Sequence, residues 1–295
     1  MFFTTNRFRS NNLLKNNQTI KENVTKNLTN RESFLNLEST KNNFNTYLVS
    51  KKGTHLKNKE NSKSNNKPKI KVLKNGPYIV SGNIPLINMS IQCGTDGVPI
   101  KWLIGDKLKT AETYSLCRCG RSKKKPFCDG THLKVNFDGT ETSGNKPYEK
   151  MAKEIDGPAL KLKDAEILCA SARFCHRGGD IWQTVLRSEA WAKKNAIENA
   201  CDCPSGRLVI LDKKPRRTIE PSLDKSIGLI KDPSIGVDGP IWVRGEIPIY
   251  SCEGKLYEIR NRVTLCRCGK STNKPFCDSS HYPEEDREVI INEQK

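Results

Sequence analysis

The sequence predicts an α+β fold in which two copies of a β-rich unit lie on either side of a short helical segment. First, residues 76–86 (GPYIVSGNIPL) recur as residues 239–249 (GPIWVRGEIPI). Second, apolar residues alternate in each copy, as at Tyr78 and Val80, and Gly and Pro interrupt the runs, which is typical of short half-buried strands. Third, the segment between the copies has apolar residues at helical spacing.

Residues 1–70 are predicted to form a disordered basic tail. They contain 16 Asn, and 14 Lys and Arg against 4 Asp and Glu, within a chain of net charge +18. Their apolar residues show almost no periodic spacing, so they lack the material for a core. The first acidic residue is Glu22, and an acid-poor basic start is typical of an organellar transit peptide. A low-complexity extension without a targeting signal is the alternative.

The rest of the chain divides into three predicted units, at residues 71–150, 151–215 and 216–295. Each repeat leads into a cysteine-rich segment, and these two segments are offset by 149 positions. The preceding Gly-Pro segments are offset by 163, so the first copy has 14 extra residues, which we interpret as a loop insertion around residues 89–110. In the middle unit, residues 163–177 and 188–200 have helical spacing, and residues 208–211 are predicted to form a strand.

Composition and motifs exclude several classes of protein. No run approaches the roughly 18 apolar residues of a membrane-spanning helix. Despite the basic charge, neither a helix-turn-helix nor an RRM motif is present, so specific nucleic-acid binding is not expected. The absence of P-loop, G-x-G-x-x-G and H-E-x-x-H motifs argues against an enzyme. The 12 cysteines cluster near histidines, and the N-terminal residues lack an apolar signal region, which favours metal ligation in a reducing intracellular compartment over disulfides.

The candidate metal ligands form one pattern that occurs twice. It reads Cys117-x-Cys119-x8-Cys128-x3-His132, and then Cys266-x-Cys268-x8-Cys277-x3-His281. Thiolate suits iron–sulfur clusters or zinc, and a Cys and a His four positions apart lie one helical turn apart. A Cys–Cys pair and a Cys–His pair side by side could each hold one metal, and together they could hold two irons. A Cys3His zinc site is the alternative at this point.

Both segments resemble the CDGSH iron–sulfur family, also called the NEET family, whose pattern is C-x-C-x2-[ST]-x3-P-x-C-D-G-[ST]-H. The first segment matches every fixed position of this pattern, namely Cys117, Cys119, Ser122, Pro126, Cys128, Asp129, Gly130, Thr131 and His132. The second segment matches at Cys266, Cys268, Ser271, Pro275, Cys277, Asp278, Ser280 and His281. It departs from the pattern at Ser279, where the family has Gly, and this puts the local backbone geometry in question.

The resemblance implies one [2Fe–2S] cluster in each site, with the Cys pair on the inner iron and the Cys–His pair on the outer iron. Single-motif members of the family form homodimers, so we expect this chain to be a monomeric pseudo-dimer with its halves related by a pseudo-twofold axis. The implied function is electron transfer, or cluster transfer, to a redox partner or an apo-acceptor protein. A zinc-stabilised interaction module is the alternative. We expect the protein to be located in the mitochondrion if residues 1–70 include a transit peptide, and otherwise in the cytoplasm.

The middle segment is similar to the divergent 4Fe–4S ferredoxin-like domain. Cys169 and Cys175 match its C-x5-C pair, and Cys203 begins the CPSG sequence that matches its C-P-[SA]-G. Cys201 could supply a fourth thiolate. A third iron–sulfur cluster is one interpretation, and buried structural thiols are the other. His176, beside an arginine, is expected to be a surface or capping residue and not a ligand.

Overall fold

The computed structural model describes residues 67–283 of the chain, so the predicted tail lies outside the described residues up to position 66. The strands of this range are β1 (Lys69–Val72), β2 (Tyr78–Ser81), β3 (Leu86–Cys93), β4 (Pro99–Leu108), β5 (Thr113–Leu116), β6 (Lys153–Asp156), β7 (Leu160–Asp164), β8 (Leu208–Asp212), β9 (Arg217–Ile219), β10 (Ser226–Asp232), β11 (Val237–Arg244), β12 (Ile249–Tyr250) and β13 (Arg262–Leu265). The helices are α1 (Thr131–Lys134), α2 (Tyr148–Met151), α3 (Ile181–Thr184) and α4 (Ala190–Asp202), with short 3-10 turns at Glu166–Leu168 and Phe174–His176. The predicted α+β class is confirmed. None of the helices in residues 67–283 has the length and apolar composition to cross a bilayer.

The two repeats interlock by exchanging a strand. In the first copy β1, β2 and β5 form an antiparallel sheet, and in the second copy β10, β11 and β13 do the same. Strand β12 of the second copy joins the first sheet parallel to β1, with Ile249 opposite Ile70. Strand β3 of the first copy joins the second sheet parallel to β10, with Leu86 opposite Ile227. This reciprocal exchange relates the copies by the expected pseudo-twofold symmetry.

A single apolar core lies between the two interlocked sheets. Alternate residues of the strands point into it, as the period-2 pattern predicted. Burying each of these large side chains contributes roughly 1.5–3 kcal/mol, so the copies stabilise each other. The buried members from the first copy are Ile70, Val72, Tyr78, Val80, Ile84, Leu86, Tyr114 and Leu116, and those from the second are Ile227, Leu229, Ile241, Val243, Ile247, Ile249, Tyr257, Val263 and Leu265.

The interpretation of residues 89–110 as a loop insertion is wrong, because this segment lies in the hairpin of β3 and β4. The strands pair antiparallel along most of their length, and Gly97, with φ of +76°, allows the tight turn between them. The hairpin also contacts the middle segment. Trp102 donates from Nε1 to the Asp202 carbonyl at 3.1 Å, and Arg177 donates from Nη1 to the Ile100 carbonyl at 2.7 Å.

The middle segment forms its own antiparallel sheet, in the order β6-β7-β8-β9. Helix α4 lies against it, and the predicted helical spacing at residues 188–200 is confirmed. Ala192, Ala196 and Ala200, spaced by four, are all buried on one face of this helix. The predicted strand at residues 208–211 is confirmed as β8.

The predicted helix at residues 163–177 is wrong. Strand β7 ends at Asp164, and two 3-10 turns follow. The apolar residues of this segment are buried, but in different cores: Leu168 packs with Tyr148, and Ala172 packs with Trp242. The apolar residues of this segment therefore have helical spacing because the segment passes from one core to another, and not because they form one face of a helix.

Candidate metal centres

The first duplicated site lies at the end of strand β5. Cys117 and Cys119 follow this strand directly, and their sulfur atoms are 3.8 Å apart. Cys128 is held beside them because its N–H donates to the Ser115 carbonyl at 3.0 Å. His132 lies in helix α1, with Nδ1 3.3 Å from the Cys128 sulfur. The structure thus brings the four predicted ligand side chains together as two pairs.

The second site repeats this arrangement at the end of β13. The sulfur atoms of Cys266 and Cys268 are 3.6 Å apart. Cys277 donates its N–H to the Thr264 carbonyl at 2.9 Å, and its sulfur is 3.5 Å from Nδ1 of His281. All four predicted side chains again form two pairs.

The pair distances fit a tetrahedral metal held by each pair. Two sulfurs bound to one tetrahedral metal at about 2.3 Å lie about 3.8 Å apart, and a sulfur and an imidazole nitrogen lie about 3.5 Å apart. Within residues 67–283, no three His, Cys, Asp or Glu side chains converge closely enough to hold one metal ion together. The four within-pair distances present the donors of each site as two clamps, each suited to one metal, which fits a group with two irons.

Short hydrogen bonds hold the first ligand loop in shape. Ser122 donates from Oγ to the Phe127 carbonyl at 2.7 Å, which closes the loop between the two ligand pairs. The Asp129 carboxylate accepts from the N–H groups of Lys123 at 2.8 Å and Thr131 at 3.0 Å. A hydrogen bond from the Thr131 side chain, followed by these two main-chain bonds, lowers the pKa of Asp129 below its ordinary value. The carboxylate therefore stays charged and caps the turn before His132.

The second ligand loop has the same hydrogen bonds at equivalent positions. Ser271 donates to the Phe276 carbonyl at 2.7 Å, and Asp278 accepts from the N–H groups of Thr272 at 2.7 Å and Ser280 at 3.0 Å. Residues of the pattern that are not ligands therefore build the loop in both copies.

An arginine that sequence reasoning missed separates the two cysteines in each copy. Arg118 is 1% exposed and donates to the main-chain carbonyls of Leu73, at 3.1 Å, and Gly139. Arg267 donates to the Gly239 carbonyl at 2.5 Å. In extended backbone, the side chain between two cysteines points to the face opposite the two sulfur atoms. Each arginine therefore anchors the cysteine pair to main-chain carbonyls on that opposite face. The recurrence of arginine at this position in both copies was the sequence signal from which its structural role could have been predicted.

The two sites face each other across the pseudo-twofold axis. Gly120 and Gly269 follow the second cysteine of each pair, with φ of +73° and +81°. A Cβ atom on Gly120 would overlap the main chain of Cys268, and one on Gly269 would lie 2.6 Å from the Cys119 carbonyl oxygen. Glycine is therefore required at both positions by conformation and by space.

The surroundings of the two sites differ. Cys128 is half-buried, whereas its counterpart Cys277 is 2% exposed. Leu133, which follows the histidine of the first site, is 73% exposed, and Tyr282 at the same position of the second site is 4% exposed. The middle segment covers the second site around Cys277 and Tyr282, while the first site is less buried at the equivalent residues; both ligand histidines are half-buried.

Three cysteines of the middle segment lie near one another. Cys169 and Cys175 lie around the two 3-10 turns, and Cys203 follows helix α4. Burial, and then the neighbouring Cys169 and Cys203, raise the pKa of the Cys175 thiol. The Arg207 guanidinium, itself paired with Asp164 at 2.6 Å, adds a buried positive charge beside this group. Such a charge would stabilise thiolates bound to a cluster.

Cys201 faces different neighbours. It is buried on α4, and burial raises its pKa to about 11, with Arg262 and Glu220 as the nearest charged groups outside its helix. Arg262 is a charged neighbour of both Cys201 and Cys203, and the role of Cys201 as a possible fourth thiolate stays a prediction. His176 is hydrogen-bonded through Nδ1 to the Asp180 carboxylate at 2.5 Å, and its role as a surface or capping residue stays a prediction.

Two arginines of the second copy hold the loop that carries Cys203. Arg262 is 1% exposed and donates to the carbonyls of Ala200 at 2.5 Å and Cys203 at 2.8 Å. Arg260 donates to the Ser205 carbonyl at 3.4 Å. They add side-chain donors to main-chain carbonyls at the end of helix α4 and in the loop after it, and so tie this loop to the second copy.

Comparison with known families agrees with this division of the chain. Residues 75–133 and 238–282 both match the family described as iron-binding zinc finger CDGSH type. Residues 155–213 match the family described as divergent 4Fe-4S mono-cluster. The first family covers both candidate sites, and the second covers the middle cysteine group.

A curated human protein is similar to a short part of the chain. It is the mitochondrial protein named CDGSH iron-sulfur domain-containing protein 3, and it is 54% identical over 36 residues. The match covers 12% of this chain and 28% of the human protein, so the chain spans less than a third of this relative. No solved structure matches the chain. The family matches and the paired ligand geometry together identify a chain with two CDGSH-type iron-binding domains and a divergent 4Fe-4S segment between them, and thus an iron–sulfur cluster-binding protein.

Proposed function

We propose that the chain is an electron-transfer protein that holds one [2Fe–2S] cluster in each duplicated site. It acts as a carrier and not as an enzyme, and it exchanges electrons with a redox partner protein as a monomeric pseudo-dimer. The proposed ligands are Cys117, Cys119, Cys128 and His132 in the first site, and Cys266, Cys268, Cys277 and His281 in the second. The units at residues 71–150, 151–215 and 216–295 stay the proposed division of the chain.

The observation that carries this proposal is the pairing of donor atoms. In each site the two donor atoms of a pair lie 3.3–3.8 Å apart, which suits one tetrahedral metal for each pair and therefore two irons for each site. The close approach of Gly120 and Gly269 to the opposite site puts the two ligand sets next to each other. Proximity favours the movement of electrons within the chain.

When bound, a [2Fe–2S] cluster supplies one-electron oxidation and reduction. The chain sets the conditions for that chemistry. A neutral imidazole in place of one thiolate removes negative charge, so we expect a potential between those of plant-type and Rieske centres, from about −400 to +300 mV. His132 is half-buried in the less covered first site, where solvent protons would compete with a metal for its ring nitrogen.

We also propose a third iron–sulfur cluster in the middle segment, bound by Cys169, Cys175 and Cys203. Three thiols beside the buried Arg207 support this proposal, as does the match to a 4Fe-4S family. Buried structural thiols are the alternative.

Elemental analysis with spectroscopy tests these assignments. Two binuclear clusters require about four irons and four acid-labile sulfides per chain, and a third cluster adds about three or four of each. Visible absorption and an EPR signal on reduction should accompany them. Folded, colourless protein that contains zinc without labile sulfide would overturn the proposal and favour a zinc-stabilised interaction module.

Transfer of a whole cluster is a second candidate function, because the first site is less buried than the second at Cys128 and borders open space at Gly130. Mixing the loaded chain with an apo-ferredoxin, and following absorbance after separation of the two proteins, distinguishes the candidates. Appearance of the cluster on the acceptor indicates a donor. Rapid reduction and reoxidation without such transfer indicates a carrier.

For location, we propose an intracellular, reducing compartment. The acid-poor residues before Glu22 favour the mitochondrion, and the human relative is a mitochondrial protein by name. Fusing residues 1–70 to a fluorescent protein tests this. Diffuse cytoplasmic fluorescence would contradict the mitochondrial assignment.

A further inference from the structure

The second site departs from the CDGSH pattern at one residue, and that residue touches the middle cysteine group. Ser279 stands where the first site has Gly130, and both adopt the left-handed conformation, with φ of +70° and +82°. Beside Gly130 the position of a Cβ atom has nothing within 4 Å. Ser279 is buried, at 7% exposure. Ser279 therefore places a hydroxyl, which glycine lacks, at a strained backbone position.

The Ser279 hydroxyl forms a bridge to the middle segment. It donates to the Cys169 carbonyl at 2.9 Å, and the Ser171 hydroxyl pairs with it at 2.7 Å. Cys169 is one of the three grouped thiols, and Ser279 is two residues from Cys277 in the second site. A single hydrogen bond therefore completes a route of otherwise covalent bonds between the two cysteine groups.

Further contacts fix this junction from the same side. Asn273 donates to the Ile167 carbonyl at 3.2 Å, and Tyr282 donates from its hydroxyl to the Ser171 carbonyl at 2.7 Å. Both partners lie in the loop that carries Cys169. The geometry of the bridge is thus held by residues on either side of it, as a defined electron route requires.

We propose that the hydrogen bond between Ser279 and the Cys169 carbonyl is the electron-transfer contact between the middle cysteine group and the second CDGSH site. One electron leaves the reduced group on one side and enters the oxidised group on the other, with no bond made or broken. The electron comes from an external one-electron donor. The second site is then an internal relay, and the less covered first site serves the partner protein. The inference rests on the proposed function, including the middle cluster.

Flash photoreduction of the full-length, cluster-loaded chain tests this proposal. Photoreduced deazaflavin injects one electron, and a later absorbance change whose rate is independent of protein concentration reports transfer within the chain. Ser279→Gly should slow this phase several-fold, because it removes the bridge while keeping a residue suited to the positive φ. Ser171→Ala should slow it less, because the bond from Ser279 to Cys169 remains.

Ser222→Gly, the same change at an exposed serine outside both cysteine groups, is the matched control and should leave the rate unchanged. Reduction potentials and EPR spectra of the three centres should stay the same in all variants, which separates a route from a general structural effect. Equal rates for Ser279→Gly and the unmodified chain would overturn the proposal, as would loaded protein without a concentration-independent phase. Protein without iron and sulfide would instead refute the proposed function on which it rests.

Discussion

The two CDGSH sites share their ligands and loop hydrogen bonds, but only the second lies under the middle segment. In the first site Leu133 is 73% exposed and Gly130 borders open space. In the second, Tyr282 and Ser279 at the same positions are buried and bonded to the loop that carries Cys169. Duplication thus preserved the ligand geometry while the residues around it diverged. The difference shows that the neighbours of a centre, and not its ligands, decide what it can contact.

The largest expected effect is at Arg262, where the second copy joins the middle segment. Arg262→Ala should lower the free energy of unfolding by about 3–5 kcal/mol, because it removes a buried guanidinium together with its ion pair to Glu220 and its hydrogen bonds to several carbonyls. Thr113→Ala, the matched change in the first copy, should have an effect within about 0.5 kcal/mol, because Thr113 is exposed. Urea denaturation measures both. Similar losses in the two variants would contradict the asymmetry.

The next effect should be the same in both copies, because it concerns the contact between the sites. Gly120→Ala and Gly269→Ala each place a Cβ at positive φ and against the opposite main chain. We expect each to lower the free energy of unfolding by about 1–3 kcal/mol. Thermal unfolding followed by circular dichroism measures it. A cost in one copy alone would argue against the pseudo-twofold contact.

A smaller effect is expected at the residue that follows each ligand histidine. Tyr282→Phe removes a buried hydroxyl that bonds to Ser171 and Asp232, and should cost about 1–2 kcal/mol. The counterpart Leu133→Ala should cost about 0.5 kcal/mol or less, because its side chain is mostly in water. Denaturant midpoints of the two variants provide the comparison. The prediction fails if Leu133→Ala is the more destabilising change.

The smallest effect concerns the acid stability of the loaded sites. Protons compete with iron for an imidazole nitrogen, so cluster absorbance should decay as the pH falls to 5. Because the first site is less covered, it should account for the faster of two phases. His132→Cys should slow the fast phase several-fold, whereas His281→Cys should alter only the slow phase. If both variants decay at pH 5 as the unmodified chain does, histidine is not the acid-sensitive ligand.

Much of each candidate site could be predicted because its contacts are local. The Cys pair spans three residues and the Cys–His pair spans five, so spacing alone predicts that Cys117 meets Cys119 and that Cys128 meets His132. The strands of both repeats could also be predicted, because the alternation of apolar residues along one strand does not depend on which strand pairs with it. Helix α4 was found from its buried alanines for the same reason.

The errors arose where burial came from several partners. Residues 163–177 contain apolar residues at helical spacing, but Leu168 and Ala172 are buried in different cores, so no single helix face was involved. Residues 89–110 looked like a loop insertion, although they lie in a hairpin whose contacts include the Asp202 carbonyl, 100 residues away from Trp102. Spacing within a segment does not identify which surface covers it.

By itself the sequence determined the duplicated ligand pattern, the short strands that carry it and the resemblance to an iron–sulfur family, since each depends on residues a few positions apart. Only the tertiary structure decided the exchange of β3 and β12 and the main-chain partners of the arginines between the cysteines. It also decided that the middle segment covers the second site and not the first. Those features join distant residues, such as Arg262 to Cys203 across 59 positions and Ser279 to Cys169 across 110. Such contacts form only when the whole chain packs, because their partners meet through burial and not through local propensity.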